Sequence, residues 1–189
     1  MEITYLGHAA FRLKGKSTIV VTDPYAPEHV GLKFPKHITA DIVTVSHDHP
    51  DHNAISQVEG TAYVVNGPGE YEIKGVGVIG RKVENNTIYR IEMDGLSIVH
   101  LGDLGHALSA EEVDSLDGVD ILMLSVGPSA ASVINEIEPS IVIPMHVGDE
   151  GTTVKDFLKE IGKEDVVAQP KLIVTRDKLP EQMQVVILE

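Results

Sequence analysis

Six consecutive residues, His47-Asp48-His49-Pro50-Asp51-His52, constrain this chain more than any other stretch of it. They follow Asp41-Ile42-Val43-Thr44-Val45-Ser46, a short, apolar, β-branched run that reads as a buried strand. A strand that opens into His-x-His-x-Asp-His must end on a rigid rim of the fold. Imidazole nitrogen and carboxylate oxygen are the ligands that Zn²⁺, Fe²⁺ and Mn²⁺ accept. The alternation points successive side chains to different sides, so the segment can hold two ions rather than one. At this chain's own His and Asp frequencies, a chance match has a probability on the order of 10⁻³. The competing reading is a solvated polar loop with scattered histidines.

The rest of the chain fits a single domain over residues 1–189, long enough for its own core. Trp is absent and only 4% of residues are aromatic, so that core rests on Val, Ile and Leu. A net charge of −14 argues against nucleic acid as a partner, because a general nucleic-acid binder carries a basic face. Cys is absent, which excludes disulfides, thiolate metal sites and a cysteine nucleophile. The N-terminal residues start directly as a strand, and no apolar run approaches the length of a membrane span. Cytoplasmic residence is the expectation, with no membrane partner and with an oligomer left open.

Along the first half, strands are expected at Ile3–Leu6, Ala10–Leu13, Thr18–Thr22, 41–46, Tyr63–Val65, Tyr71–Lys74, Val76–Ile79, Thr87–Met93 and Leu96–Leu101. Asp94-Gly95 is a type I′ hairpin signal, residues 24–40 an irregular loop, and Asn53–Val58 the start of a helix. The second half alternates. Helices are expected over 109–117, 129–138 and Thr153–Ile161, with strands at Asp120–Leu124, Ile141–Pro144 and near 171–175 and 184–188. A β-meander followed by β/α units predicts two sheets packed face to face with helices outside.

Other strands also end in ligand-type residues. Leu96–Leu101 runs into Gly102-Asp103, Ile141–Pro144 into Met145-His146, and Thr18–Thr22 into Asp23. Sites in mixed α/β structures gather at strand ends, so Asp103 and His146 join the histidine motif as candidate ligands. His106, three residues past Asp103, is placed either to protonate a leaving group or to hydrogen-bond the following helix. His29 and His37 lie in the Pro-rich loop and read as surface residues. Gly75-Val-Gly77-Val-Ile-Gly80 has the form of a dinucleotide fingerprint. No helix fits behind it, so a glycine-rich hairpin is expected and no cofactor of that kind.

With Tyr5-Leu6-Gly7-His8-Ala9, Thr22-Asp23-Pro24-Tyr25, Gly67-Pro68-Gly69-Glu70-Tyr71-Glu72 and His100-Leu-Gly-Asp103-Leu-Gly-His106 added to the motif, the chain resembles the metallo-β-lactamase superfamily. It is most similar to small stand-alone hydrolases near the ascorbate-6-phosphate lactonase and ribonuclease Z branches. The resemblance covers essentially the whole chain and implies an α/β (α+β) fold, a four-layer αββα sandwich with a metal site at one edge. It assigns His47 and His49 to one metal and Asp51, His52 and His146 to the other, with Asp103 bridging. Asp23 is then a carboxylate that orients a ligating imidazole, and His8 a pocket or structural residue.

One departure stands out. The family carries a further histidine between the motif and Asp103, and no His occurs from Asn53 through Val99. The region where it belongs, 80–86, reads as a shortened hairpin. His47, His49 and Asp103 still make three ligands with an open position, and His8 or Glu70 are available as substitutes. The expected function is a metal-dependent hydrolase. It would use a hydroxide on one or two Zn²⁺ ions (Mn²⁺ or Fe²⁺ as alternatives) against a small ester, lactone or phosphodiester, with Asp51, Asp103 and His106 as catalytic residues. The missing histidine motivates a second reading, a non-catalytic metal-binding or scaffold protein on the same fold. A di-iron electron-transfer or oxygen-handling module is a third.

Overall fold

The computed structural model describes residues 1–60, 62–146 and 153–189. Among them, strands β1 (Glu2–Gly7), β2 (Ala10–Lys14), β3 (Ile19–Thr22), β4 (Ile42–Thr44), β5 (Tyr63–Val65) and β12 (Leu172–Ile173) form one sheet, in the order β12-β1-β2-β3-β4-β5. The other has the order β13-β11-β10-β9-β8-β7-β6. It is built from β6 (Gly69–Ile73), β7 (Val76–Val83), β8 (Asn86–Met93), β9 (Leu96–His100), β10 (Ile121–Ser125), β11 (Ile141–Met145) and β13 (Gln184–Val185). The meander pairs antiparallel, and β9, β10, β11 and β13 pair in parallel. Every residue of β9 and β11 is buried, as parallel strands covered on both faces require.

Three apolar clusters define the layers. Ile3, Phe11, Leu13, Val78, Ile91, Ile98 and Ile143 fill the space between the sheets. Leu116, Val133, Ile137 and Phe157 close the outer face of the second sheet. They come from α2 (Ala110–Asp114) and the turn after it, α3 (Ala130–Ile137) and α4 (Val154–Glu160). Helices α2 and α4 each begin in a capping box, Ser109 with Glu112 and Thr153 with Asp156.

The outer face of the first sheet is covered differently. Tyr25, Phe34 and Val58 pack there from the long connection between β3 and β5, whose regular structure is the four-residue helix α1 (Pro27–Val30) and a 3₁₀ turn at Ile55–Gln57. The helix expected over Asn53–Val58 is therefore only that turn. The Ala54 N–H donates to the Pro24 carbonyl and the Ala26 N–H to that of Pro50, which ties the segment to the loop instead of to a helical ladder. This outer layer of the αββα sandwich is mostly loop.

The hairpins follow their turn residues. Asp94 and Gly95 both have positive φ, 55° and 80°, as a type I′ turn needs. The Gly75–Gly80 motif occupies a hairpin turn and strand β7. No helix among the described residues is long and apolar enough to cross a membrane.

Candidate metal centre

Strands β1, β3, β4, β9 and β11 end at one rim of the sandwich. That rim receives His8, Asp23, the 47–52 motif, Asp103 and His146 in turn. The two sheets are tied together there. The His146 N–H donates to the His8 carbonyl (2.9 Å), His100 Nε2 donates to the Ala9 carbonyl (2.8 Å), and the Tyr89 hydroxyl donates to the Val45 carbonyl (2.9 Å).

Asp51 is the hub. Its Oδ2 lies 3.2 Å from His8 Nε2, 3.7 Å from His52 Nε2 and 4.0 Å from His146 Nε2, while its Oδ1 contacts His49 Nδ1. Burial alone would raise the Asp51 carboxyl, yet hydrogen bonds from His49 and His8 and the charge of His52 hold it at about 2. The carboxylate is thus ionised at neutral pH.

Behind the motif, Asp23 is fully buried. Its Oδ1 accepts the Ser46 N–H (2.8 Å), and its Oδ2 accepts the Ser46 hydroxyl (2.5 Å) and His52 Nδ1 (2.8 Å). Because the Ser46 hydroxyl donates to the carboxylate, its oxygen is left to accept from His47 Nδ1 at 3.1 Å. One carboxylate therefore sets the tautomer of both His47 and His52, directly for one and through a hydroxyl for the other. Both rings present an Nε2 lone pair to the rim. Burial lowers the pKa of His8 and of His47, keeping them in the neutral, ligating form. Burial opposes a charge on His52 too, but the hydrogen bond and charge of Asp23 prevail and raise it.

These atoms form three mutually close groups: His8, Asp51, His52 and His146; His47, His49 and Asp51; and His47, His52 and Asp103. The donors suit a divalent cation. The clearest sign is His52 Nε2, buried and without a hydrogen-bond partner, because a polar atom in that state is costly unless something fills its place.

The resemblance placed Asp103 as the bridge between two ions. In the structure Asp103 stands with His47 and His52, and Asp51 is the carboxylate whose two oxygens face different histidines. Glu70 joins none of the three groups. Tyr71 and Ile73 of β6 turn toward the inter-sheet core, so strand alternation sends Glu70 away, into an open cleft with Arg90 and Arg176. Glu70 is thus no substitute for the missing histidine. His8 is brought in, but beside Asp51, His52 and His146 rather than beside His47 and His49.

His106 and Asp103 line a cleft of about 420 Å³ with His47, Val83, Asn86 and Leu104. His106 Nδ1 donates to the Ala107 carbonyl (2.8 Å), which leaves Nε2, 3.8 Å from Glu84, for the cleft. It does not cap α2, since Ser109 and Glu112 do so themselves. His37 is exposed and pairs with Glu59, and His29 is exposed on α1. His100 is buried and inert as a ligand: its Nε2 proton goes to Ala9 and its Nδ1 accepts the Gly102 N–H at 3.1 Å.

Ser46 and Tyr5 are site residues that sequence reasoning missed. Ser46 sits directly before the motif, but as a strand residue it gave no sign of bridging Asp23 to His47. Tyr5 donates its hydroxyl to the His8 carbonyl (2.8 Å), and the sequence marks it only as part of the Tyr5–Ala9 stretch, with no role of its own.

Gly102 holds Asp103 in place. Its φ is +59°, and an added Cβ would press first on Asn86 Oδ1 and stand 2.6 Å from Ser46 Cβ and 2.9 Å from Ser46 Oγ. Gly102→Ala is expected to cost about 2–4 kcal/mol, from left-handed strain and overpacking together. Thermal unfolding checks that figure. A metal titration should also show weaker binding, because part of the clash falls on Ser46, whose hydroxyl orients His47.

Two packed sheets with imidazoles and carboxylates converging on one rim define a metal-binding protein of the metallo-β-lactamase fold. The chain belongs to the β-lactamase superfamily, whose domain model matches residues 2–146. It is similar to a UPF0173 metal-dependent hydrolase of Thermoplasma acidophilum, 28% identical over 187 residues, covering 77% of this chain and 83% of that protein. A UPF0173 metal-dependent hydrolase of Methanopyrus kandleri is 28% identical over 197 residues, covering 78% and 84%. Among solved structures, a candidate Zn-dependent hydrolase of the metallo-β-lactamase superfamily from Thermotoga maritima superposes with a TM-score of 0.83. It is 32% identical, and the match covers 100% of this chain and 98% of that one.

Proposed function

We propose that this protein is a metal-dependent hydrolase of small molecules. The observation that carries the reading is the Asp23 relay. A fully buried carboxylate that fixes the tautomers of His47 and His52, and leaves His52 Nε2 bare, is built to present lone pairs to a cation. His47, His49, Asp51, His52, Asp103 and His146 would hold one or two ions. Imidazole and carboxylate donors favour Zn²⁺, with Mn²⁺ or Fe²⁺ as alternatives. A bound divalent ion lowers the pKa of water from 15.7 toward ~7 and polarises an ester-like carbonyl or phosphoryl group.

The chain's own residues do the rest. Asp51 keeps a negative charge at the centre, and Asp23 with Ser46 holds the rings in register. His106 exchanges a proton with a leaving group through Nε2, since its Nδ1 is engaged by Ala107. The adjoining cleft of about 420 Å³ suits an ester, lactone or phosphodiester of small-molecule size. The acidic charge of −14 disfavours a long polyanion.

The missing histidine supports one competing reading, a metal-binding protein without turnover. His49, in the half that lacks it, is 60% exposed. Metal analysis of the purified protein, followed by a screen of phosphodiester, lactone and thioester substrates, separates the two. At least one equivalent of metal, with turnover that His49→Ala abolishes, is the expected result. Bound metal with no turnover in any class favours the competing reading. Less than one equivalent and no turnover overturns both.

A further inference from the structure

We propose that His8 is a metal ligand, completing with Asp51, His52 and His146 a four-donor site that takes the first cation, ahead of the His47 and His49 half. The proposal rests on the metal-binding reading above and assigns a ligand that the family pattern does not include.

Distance is the first argument. Two ligands ~2.1 Å from one ion stand roughly 3 to 4.2 Å apart, according to the angle between them. The three imidazole nitrogens lie 3.2, 3.7 and 4.0 Å from Asp51 Oδ2, with His8 the nearest, and all four donor atoms are within 4.8 Å of one another. Burial is the second. His8, His52 and His146 are buried and Asp51 is 18% exposed, whereas His49 is 60% exposed. The deeper set has less solvent to displace and fewer side-chain rotamers to freeze on binding.

The third argument is strain held in place. His8 and His146 both adopt left-handed backbone, φ 55° and 51°, which costs a non-glycine residue energy and clusters at functional sites. At His8 the conformation is clamped from both sheets. Its carbonyl accepts the Tyr5 hydroxyl at 2.8 Å and the His146 N–H at 2.9 Å. The clamp turns the His8 ring inward, with its centroid 3.9 Å from that of His146 and 5.2 Å from that of His52. Sequence reading had His8 as a substitute in the half that lost its histidine. The geometry points instead to reinforcement of the other half, which takes its ion first and more tightly than the His47 and His49 half takes a second.

The test is titration of metal-free protein with Zn²⁺ by calorimetry and with Co²⁺ by visible absorption, comparing wild type, His8→Ala and His8→Gln. Wild type should bind one equivalent more tightly than any second. His8→Ala should weaken that equivalent about a hundredfold and change the Co²⁺ spectrum, as loss of one of four ligands does. Free imidazole should restore part of both. His8→Gln, which can still hydrogen-bond Asp51, should not restore them, and it serves if His8→Ala fails to fold. Unchanged affinity and spectrum in both variants would overturn the assignment while leaving the metal reading intact. So would full rescue by Gln, which makes His8 only a positioning residue for Asp51. A wild type that binds no Zn²⁺ or Co²⁺ sinks the underlying functional reading itself.

Discussion

Asp51→Ala should cost this protein its metal centre while leaving its fold. Asp51 is the residue that joins the His8, His52 and His146 group to the His47 and His49 group, with Oδ2 facing His8, His52 and His146 and Oδ1 facing His49. A four-ligand zinc site of ~10–16 kcal/mol assigns each ligand ~3 kcal/mol, so affinity should fall at least about a hundredfold. Because Asp51 touches both halves, retained binding in the other half cannot compensate. Metal content after dialysis against a buffered Zn²⁺ pool measures the loss. Metal-free stability should fall by no more than about 2 kcal/mol, since Asp51 belongs to none of the three apolar clusters and what the variant loses is the set of contacts with His8, His49 and His52 that lowers its carboxyl. Asp51→Asn keeps the volume and removes the charge, and it should behave like the Ala variant. If Asn retained full affinity, the ionised carboxylate would be no part of the centre.

Sequence and structure meet unevenly across this molecule. The strands were legible because their periodicity is local: Val76–Ile79, Thr87–Met93 and Leu96–Leu101 alternate or run apolar, and Asp94-Gly95 announces its turn. The convergence of His8, Asp23, Asp103 and His146 was legible as strand ends alone. Which donors stand together was not, because that depends on how two sheets are packed. His8 and His146 are brought face to face by a backbone hydrogen bond between residues 138 positions apart. The Asn53–Val58 helix failed for a similar reason, since the Pro24 and Pro50 carbonyls that capture the chain there are set by tertiary contact. Glu70 was misplaced because its neighbours Tyr71 and Ile73 decide which face of β6 it takes. Ser46 was invisible because a serine that relays a carboxylate to an imidazole looks like any strand serine.

Asp23 carries the second large effect, and here fold and metal fail together. Asp23→Ala leaves the Ser46 N–H, the Ser46 hydroxyl and His52 Nδ1 without their acceptor at a site closed to solvent. Breaking a buried, hydrogen-bonded charge pair in this way costs about 3–5 kcal/mol. For a chain of this length that lowers the melting temperature by about 10 °C. Asp23→Asn is the sharper probe. Its amide can offer His52 Nδ1 an N–H in place of an acceptor, which moves the ring proton to Nε2 and aims a donor at the metal site. Affinity should then fall 10- to 100-fold, about what loss of an orienting partner costs, with a smaller stability loss. The pH dependence of the metal-free protein follows from the same pair. Burial would raise the Asp23 carboxyl, but His100, His52 and the hydrogen bonds from His52 and Ser46 together hold it below the ordinary carboxylate value. His52 and Ser46 carry the larger share, because His100 Nδ1 accepts a hydrogen bond from Gly102 and bears no proton. A lowered carboxylate stabilises the fold above its unfolded value and loses that contribution as pH falls through its folded one. His52, raised, stabilises below the ordinary imidazole value and loses its contribution as pH rises through its own folded one. The pair's own contribution to metal-free stability should therefore be greatest between roughly pH 4 and 6.5, and Asp23→Asn should flatten the acid side of the wild-type curve. Thermal melts across pH 3 to 8, about the range over which these groups titrate, decide it. An acid limb as steep in the Asn variant as in wild type would remove Asp23 from the account.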